Sequence, residues 1–66
     1  MIKVSRLNGK ELFVNCEMIE LIEETPDTVI TLNTGTKLVV KEKAEEIKSA
    51  IIDYKREIFT NLVKIQ

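Results

Sequence analysis

The first 41 residues alternate between apolar and polar positions in short runs, which predicts β-strands. Residues 1–7 and 10–15 are the first two runs, and Asn8-Gly9 separates them. Because asparagine and glycine tolerate a positive φ, this pair between two strand-like runs predicts a β-hairpin.

Three further runs have the composition of strands and are separated by turn residues. The middle run, Thr28–Leu32, is β-branched apart from its last residue, while Pro26 removes a ladder donor and ends the run before it. The pattern predicts a three-stranded meander over residues Ile19–Thr25, Thr28–Leu32 and Lys37–Lys41. Between the two units, Asn15 is predicted to cap one short turn.

Alternation also predicts which side chains share a face of the sheet. It places Leu12 and Val14 on one face and Phe13 on the other. It likewise places Glu20 and Glu24 together, opposite Glu23. The second face of the sheet is partly apolar as well, because it carries Phe13, Val29 and Val39.

From Lys43 onward the apolar period lengthens to three or four residues, which predicts an amphipathic helix over residues 43–64. Glu42, Glu45 and Glu46 are expected in its first turn, where carboxylates interact favourably with the helix dipole. The apolar stripe that this helix turns toward the sheet consists of Ala44, Ile47, Ile51, Tyr54, Ile58, Leu62 and Ile65.

A second apolar stripe on the same helix consists of Ile52, Phe59 and Val63, and it is displaced from the first by roughly 120°. On one interpretation, a curved sheet or a bent helix end covers both stripes. On the other, the second stripe is a dimer seam or a surface for a partner protein. We predict the second, with Ile52, Phe59 and Val63 as the candidate interaction surface.

These elements predict an α+β fold in a single domain, residues 1–66. A small antiparallel sheet of about five strands, in two hairpin-type units over residues 1–41, precedes one long C-terminal helix. A chain of 66 residues builds a small core, and chains of this size are usually reinforced by disulfides, a metal or a partner subunit. Cys16 is the single cysteine and there is no histidine, so self-association is the expected reinforcement.

The residue inventory argues against an enzyme. Without histidine the chain lacks the usual near-neutral acid or base, and Cys16 has no imidazole to activate it. A domain this small has scarcely room for a pocket around paired carboxylates. We therefore predict no catalytic, metal or cofactor site, and we interpret the acidic residues as a solvated strand edge: Glu17, Glu20, Glu23 and Glu24.

Charge and hydropathy indicate which partners and which cellular location to expect. Ten basic and eleven acidic residues give a net charge of −1, which does not favour nucleic-acid binding. No apolar run approaches the roughly 20 residues that span a bilayer, and the N-terminus lacks the apolar stretch of a signal peptide. A cytoplasmic protein without membrane insertion is expected.

Several segments of the sequence resemble the flagellar FlbD family, which includes SwrD-like swarming-motility proteins. The resemblance covers residues 1–58 and is carried by Arg6-Leu7-Asn8-Gly9-Lys10-Glu11, by Glu24-Thr25-Pro26-Asp27-Thr28-Val29-Ile30-Thr31-Leu32 and by Val39-Val40-Lys41-Glu42. It implies a cytoplasmic accessory role in flagellar function, near the cytoplasmic face of the motor, with support of motor power and swarming as its sharpest form. Flagellar motor or stator proteins are the partners that it implies.

Two other functions fit the predicted layout. Five short strands followed by one helix resemble the arrangement of carbon-storage regulators, which are dimeric RNA-binding proteins, although layout does not fix function. Residues 19–41 also resemble part of a LytTR-type DNA-binding domain, which is much longer than this chain. The near-neutral charge places both nucleic-acid functions behind protein–protein interaction.

Overall fold

Five antiparallel strands precede one long helix in the computed structural model, which describes the backbone of residues 1–65 and the side chains of residues 1–60. This arrangement confirms the predicted α+β fold. A short 3-10 helix, Cys16–Met18, connects the two β-units, and the Asn15 side chain caps it by accepting a hydrogen bond from the Glu17 N–H. The regular elements are β1 (Ile2–Ser5), β2 (Glu11–Val14), β3 (Ile19–Glu24), β4 (Thr28–Leu32), β5 (Lys37–Val40) and α1 (Ala44–Ile65).

Two turns of the same geometry build the β1–β2 and β4–β5 hairpins. The N–H of Gly9 donates to the carbonyl of Arg6, and the N–H of Gly35 donates to that of Leu32, both at 2.9 Å. Each glycine has a φ of +92°, whereas Asn8 keeps a negative φ. The Asn-Gly prediction of a hairpin is confirmed, but glycine alone supplies the left-handed conformation that the turn requires.

The strands form a two-stranded sheet, β1-β2, and a three-stranded sheet, β3-β4-β5. A bridge between Arg6 and Val40 connects them, and the N–H of Lys41 donates to the carbonyl of Ser5 at 2.8 Å. Strand β1 therefore lies beside β5. The two hairpin-type units predicted from the sequence thus turn their apolar faces toward one core.

Strand β3 departs from the strict alternation that its sequence predicts. Its register against β4 shifts between Ile19 and Leu21, so an extra residue, Glu20, lies in a bulge. Beyond the bulge, Glu23 pairs with Val29 and Glu24 with Thr28. The predicted grouping of Glu20 with Glu24 on one face assumed an unbroken strand, and the bulge removes that assumption.

The core lies between the concave side of the strands and the first half of α1. Ile30 at the centre of β4 and Ile47 on α1 have exposed fractions of 0% and 1%. Burying such side chains is the main favourable contribution to folding. The remaining buried apolar side chains are Ile2, Val4, Val14, Cys16, Leu38 and Val40.

The helix begins where strand β3 ends. A carboxylate oxygen of Glu24 accepts a hydrogen bond from the Ala44 N–H at 2.7 Å. This contact satisfies one of the N–H groups that a helix start leaves without a partner, and it places negative charge at the positive end of the helix dipole. Farther along, Lys55 pairs with Glu17 at 3.3 Å, so α1 runs antiparallel to β3.

Glu42 was predicted in the first helical turn but precedes it. Its carboxylate accepts a hydrogen bond from the Ser5 N–H at 2.8 Å, which fastens the segment before α1 to strand β1. Partial burial opposes the charged form of Glu42, but hydrogen bonds outweigh it, foremost that from the Ser5 N–H, and hold the pKa of this carboxyl below its ordinary value.

Because the Glu42 pKa is lower in the folded chain than in the unfolded one, its contribution to stability is present above the ordinary pKa of about 4.3 and is lost as the pH falls through the folded value. We expect Glu42→Gln to lower the free energy of unfolding at pH 7 by about 0.5–1 kcal/mol. Urea titrations from pH 7 to pH 3 should show this difference shrinking with acidification. Glu57→Gln, on the exposed side of α1, is the control and should match wild type throughout; a constant difference for Glu42→Gln would contradict the assignment.

Candidate protein-interaction surface

Two large apolar side chains lie exposed on one side of α1. Ile52 has an exposed fraction of 45% and Phe59 of 68%. They are seven residues apart, so the 3.6-residue period of the helix brings them to the same side. Lys55 lies between them along the helix, and its contact with Glu17 shows that this side adjoins the 3-10 helix that precedes strand β3. We call Ile52, Lys55 and Phe59 the lateral face of α1.

An open groove of about 350 Å³ continues the lateral face toward the start of the helix. From the sheet only Ile22 of β3 lines it, and every other lining residue belongs to α1, so the groove lies between that strand and the helix. Its walls are apolar, with Glu45 and Lys48 as charged groups. The residues that line it are Ile22, Ala44, Glu45, Lys48, Ile51 and Ile52.

The second half of α1 extends past the strands. Among the side chains that the structure describes, Tyr54 is the last one of α1 that packs on the core, and all those from Lys55 to Thr60 are exposed. Ile58 belongs to the stripe predicted to face the sheet, yet its exposed fraction is 40%. Within residues 44–60, the strands therefore cover the main stripe as far as Tyr54.

The structure shows where two of the three residues of the predicted interaction surface lie, and the binding role of this surface stays a prediction. Ile52 and Phe59 share one exposed side of α1, as the second stripe requires, and Val63 lies outside the residues whose side chains the structure describes. Sequence periodicity missed Ile22 and Ala44, which belong to the groove. These two residues line the groove because of the way α1 lies against β3, and the spacing of apolar residues along a helix does not predict that packing.

A second set of exposed apolar side chains lies on the outer side of the strands. Phe13 is 67% exposed, opposite Lys3 in the β1–β2 pair, which confirms the face predicted for it. Leu21 and Val39 are also exposed, on β3 and β5. These side chains are distributed over three strands, and none of them lines the groove beside α1.

Several titratable residues have structural contacts in the described part of the chain. Cys16 is buried in the core, Glu17 pairs with Lys55, and Glu24 caps α1. Among the described residues, no three Cys, Asp or Glu side chains come together as a group that could hold a metal ion. A second cavity of about 280 Å³ at the β3–β4 turn has side chains of both charges, from Glu24, Asp27, Lys41 and Lys43.

Comparison with known proteins decides the family. Residues 1–59 match FlbD, the family of flagellar and swarming motility proteins. The chain belongs to the FlbD family. The match covers all five strands and α1 as far as Phe59, so the lateral face lies within the part that FlbD members share.

No curated protein and no solved structure matches the chain. In the part of the chain that the structure describes, no helix is long and apolar enough to cross a membrane.

Proposed function

We propose that this FlbD chain is a cytoplasmic accessory protein of the bacterial flagellum that supports motor power and swarming by binding other protein chains. Family membership carries the flagellar part of the proposal. Flagellar motor or stator proteins are the proposed partners, and the cytoplasmic face of the motor is the proposed location. The role is non-catalytic, in keeping with a chain that contains no histidine and whose cysteine is buried.

Exposed apolar side chains support a binding role. A protein of this size that acts alone gains stability by covering large apolar groups, yet Phe59 is more than two-thirds exposed. Aromatic side chains with neighbouring apolar groups are typical centres of protein–protein interfaces. Ile52 and the groove beside it provide such neighbours on the lateral face.

Deletion of the gene tests the flagellar role. We expect cells without the protein to assemble flagella in normal number but to swarm poorly, with a lower torque in tethered-cell rotation. Re-expression of the wild-type chain should restore both measurements. Normal swarming and normal torque in a clean deletion would contradict the proposal.

Two phenylalanines with nearly equal exposure allow a matched test of the surface. Each variant is expressed in the deletion strain. Phe59→Glu on α1 is expected to leave swarming at the level of the deletion, whereas Phe13→Glu on β2 should restore swarming to the wild-type level. The side chains are 68% and 67% exposed and neither belongs to the core, so the two substitutions place the same charge on two different surfaces. Immunoblots should show equal protein levels. Full swarming with Phe59→Glu would exclude the lateral face.

A further inference from the structure

We propose that the lateral face of α1 binds a second copy of this chain, in an antiparallel two-fold dimer that packs Ile52 against Phe59 of the partner subunit. The inference deepens the proposed function, because it names one partner of that face. It rests on the exposure and spacing of these side chains and on the groove next to Ile52.

The lateral face is self-complementary in an antiparallel arrangement. The midpoint between Ile52 and Phe59 falls between Lys55 and Arg56, so a two-fold axis at this point brings each Ile52 opposite a Phe59. Residues 57–60 then lie opposite residues 51–54 of the partner's helix, so Phe59 meets the end of the groove that Ile51 and Ile52 line. Each copy thus supplies one groove and one protruding aromatic side chain.

Charge permits this contact and disfavours the pairing of two copies through strand β3. The chain has a net charge of only −1, and Lys55, at the crossing point, pairs with Glu17 of its own copy. Arg56, the second cation at this point, has Asp53 three residues before it on the same helix. Strand β3 is at an end of its sheet and is open to strand pairing, but two copies joined there would bring exposed Glu20 and Glu23 side chains together. Charge therefore favours the lateral face over the edge of β3.

The area of contact sets the expected strength. A phenylalanine side chain buries about 150–250 Å² when it is fully covered. Two Ile52–Phe59 contacts with their surroundings therefore bury a few hundred Å² per copy, less than the roughly 800 Å² per partner of a standard stable interface. A weak and reversible dimer is therefore expected, and not a permanent one.

Sedimentation equilibrium over a dilution series tests the dimer, and complementary charges test its geometry. The wild-type mass should rise from 7.6 kDa toward twice that value with concentration. Ile52→Lys alone and Phe59→Glu alone should each weaken association at least tenfold. An equimolar mixture of the two variants should associate again, because the mixed dimer pairs Lys with Glu at one contact and keeps the Ile–Phe contact at the other.

A measurement on the wild-type chain complements the variants. Within one helix Ile52 and Phe59 are about 10 Å apart along the axis, too far for a direct nuclear Overhauser contact. Such a contact is expected at high concentration, and it would have to come from the partner subunit.

Several outcomes would overturn the dimer. They are a constant mass of 7.6 kDa at all concentrations up to the solubility limit, a mixture that associates no better than its components, or an assembly larger than two copies. Circular dichroism should show the same helix content for all variants. A monomeric wild-type chain would refute this inference and leave the swarming test of the flagellar role unaffected.

Discussion

Replacing Ile47 by alanine is expected to lower the free energy of unfolding by about 2–5 kcal/mol, enough to leave much of the protein unfolded at 25 °C. Ile47 is 1% exposed and is the most buried of the α1 side chains that the structure describes. Its truncation removes apolar contacts and leaves a cavity between α1 and the sheet. Urea unfolding followed by far-ultraviolet circular dichroism measures the loss, and a 66-residue domain has little stability in reserve.

Ile52→Ala is the matched control, because the same atoms are removed from the same helix. Ile52 is 45% exposed, so the loss in the monomer should be less than about 1 kcal/mol. Measurements at low protein concentration separate this effect from any change in association. Equal losses for the two variants would mean that α1 is not held to the strands by its Ile47 side.

Replacing Gly35 by valine is expected to lower the free energy of unfolding by about 2 kcal/mol. Gly35 has a φ of +92°, a conformation that β-branched residues rarely adopt. The cost comes from the backbone alone, because a Cβ added at this position would meet no atom within 4 Å. Thermal and urea unfolding of the variant measure it.

Gly35→Asn separates conformation from side-chain size. Asparagine tolerates a positive φ better than valine does, so this variant should lose less than half as much stability. Gly9 has the same φ and the same open surroundings, and the same pair of substitutions there should behave alike. If asparagine and valine are equally harmful, backbone conformation is not the cause.

Much of the fold could be predicted from local patterns. Gly9 and Gly35 mark turns because few other residues adopt a positive φ, and the change from a two-residue to a 3.6-residue period at Lys43 marks the passage from strands to helix. These features depend on neighbours in the chain. The predicted helix, residues 43–64, consequently differs from α1 by one residue at each end.

The features that escaped prediction depend on residues far apart in the sequence. Glu24 caps the helix at Ala44 across 20 positions, and Glu42 binds the backbone of Ser5 across 37. The sequence around a glutamate in a strand is the same whether its carboxylate is hydrated by water or accepts a hydrogen bond from a helix N-terminus. Glu24 was therefore interpreted as part of a solvated edge, and the capping role required the tertiary structure.

The candidate surface shows the same division. Periodicity placed Ile52 and Phe59 on a second stripe because angular position around a helix is a local property. The exposure of Ile58 could not be predicted in this way, since it depends on where the sheet beneath the helix ends. The pattern specifies which side of α1 is apolar, and the length of the strands decides how much of it remains uncovered.

Because Cys16 is buried, the reactivity of its thiol measures how often the structure opens locally. The chain has one thiol, which is 7% exposed where the 3-10 helix meets the core. A thiol reagent in solution reaches the sulfur when this corner opens, so the rate of modification counts openings without any introduced label. A partner that binds α1 slows the modification of Cys16 only if binding also makes the local opening around Cys16 less frequent.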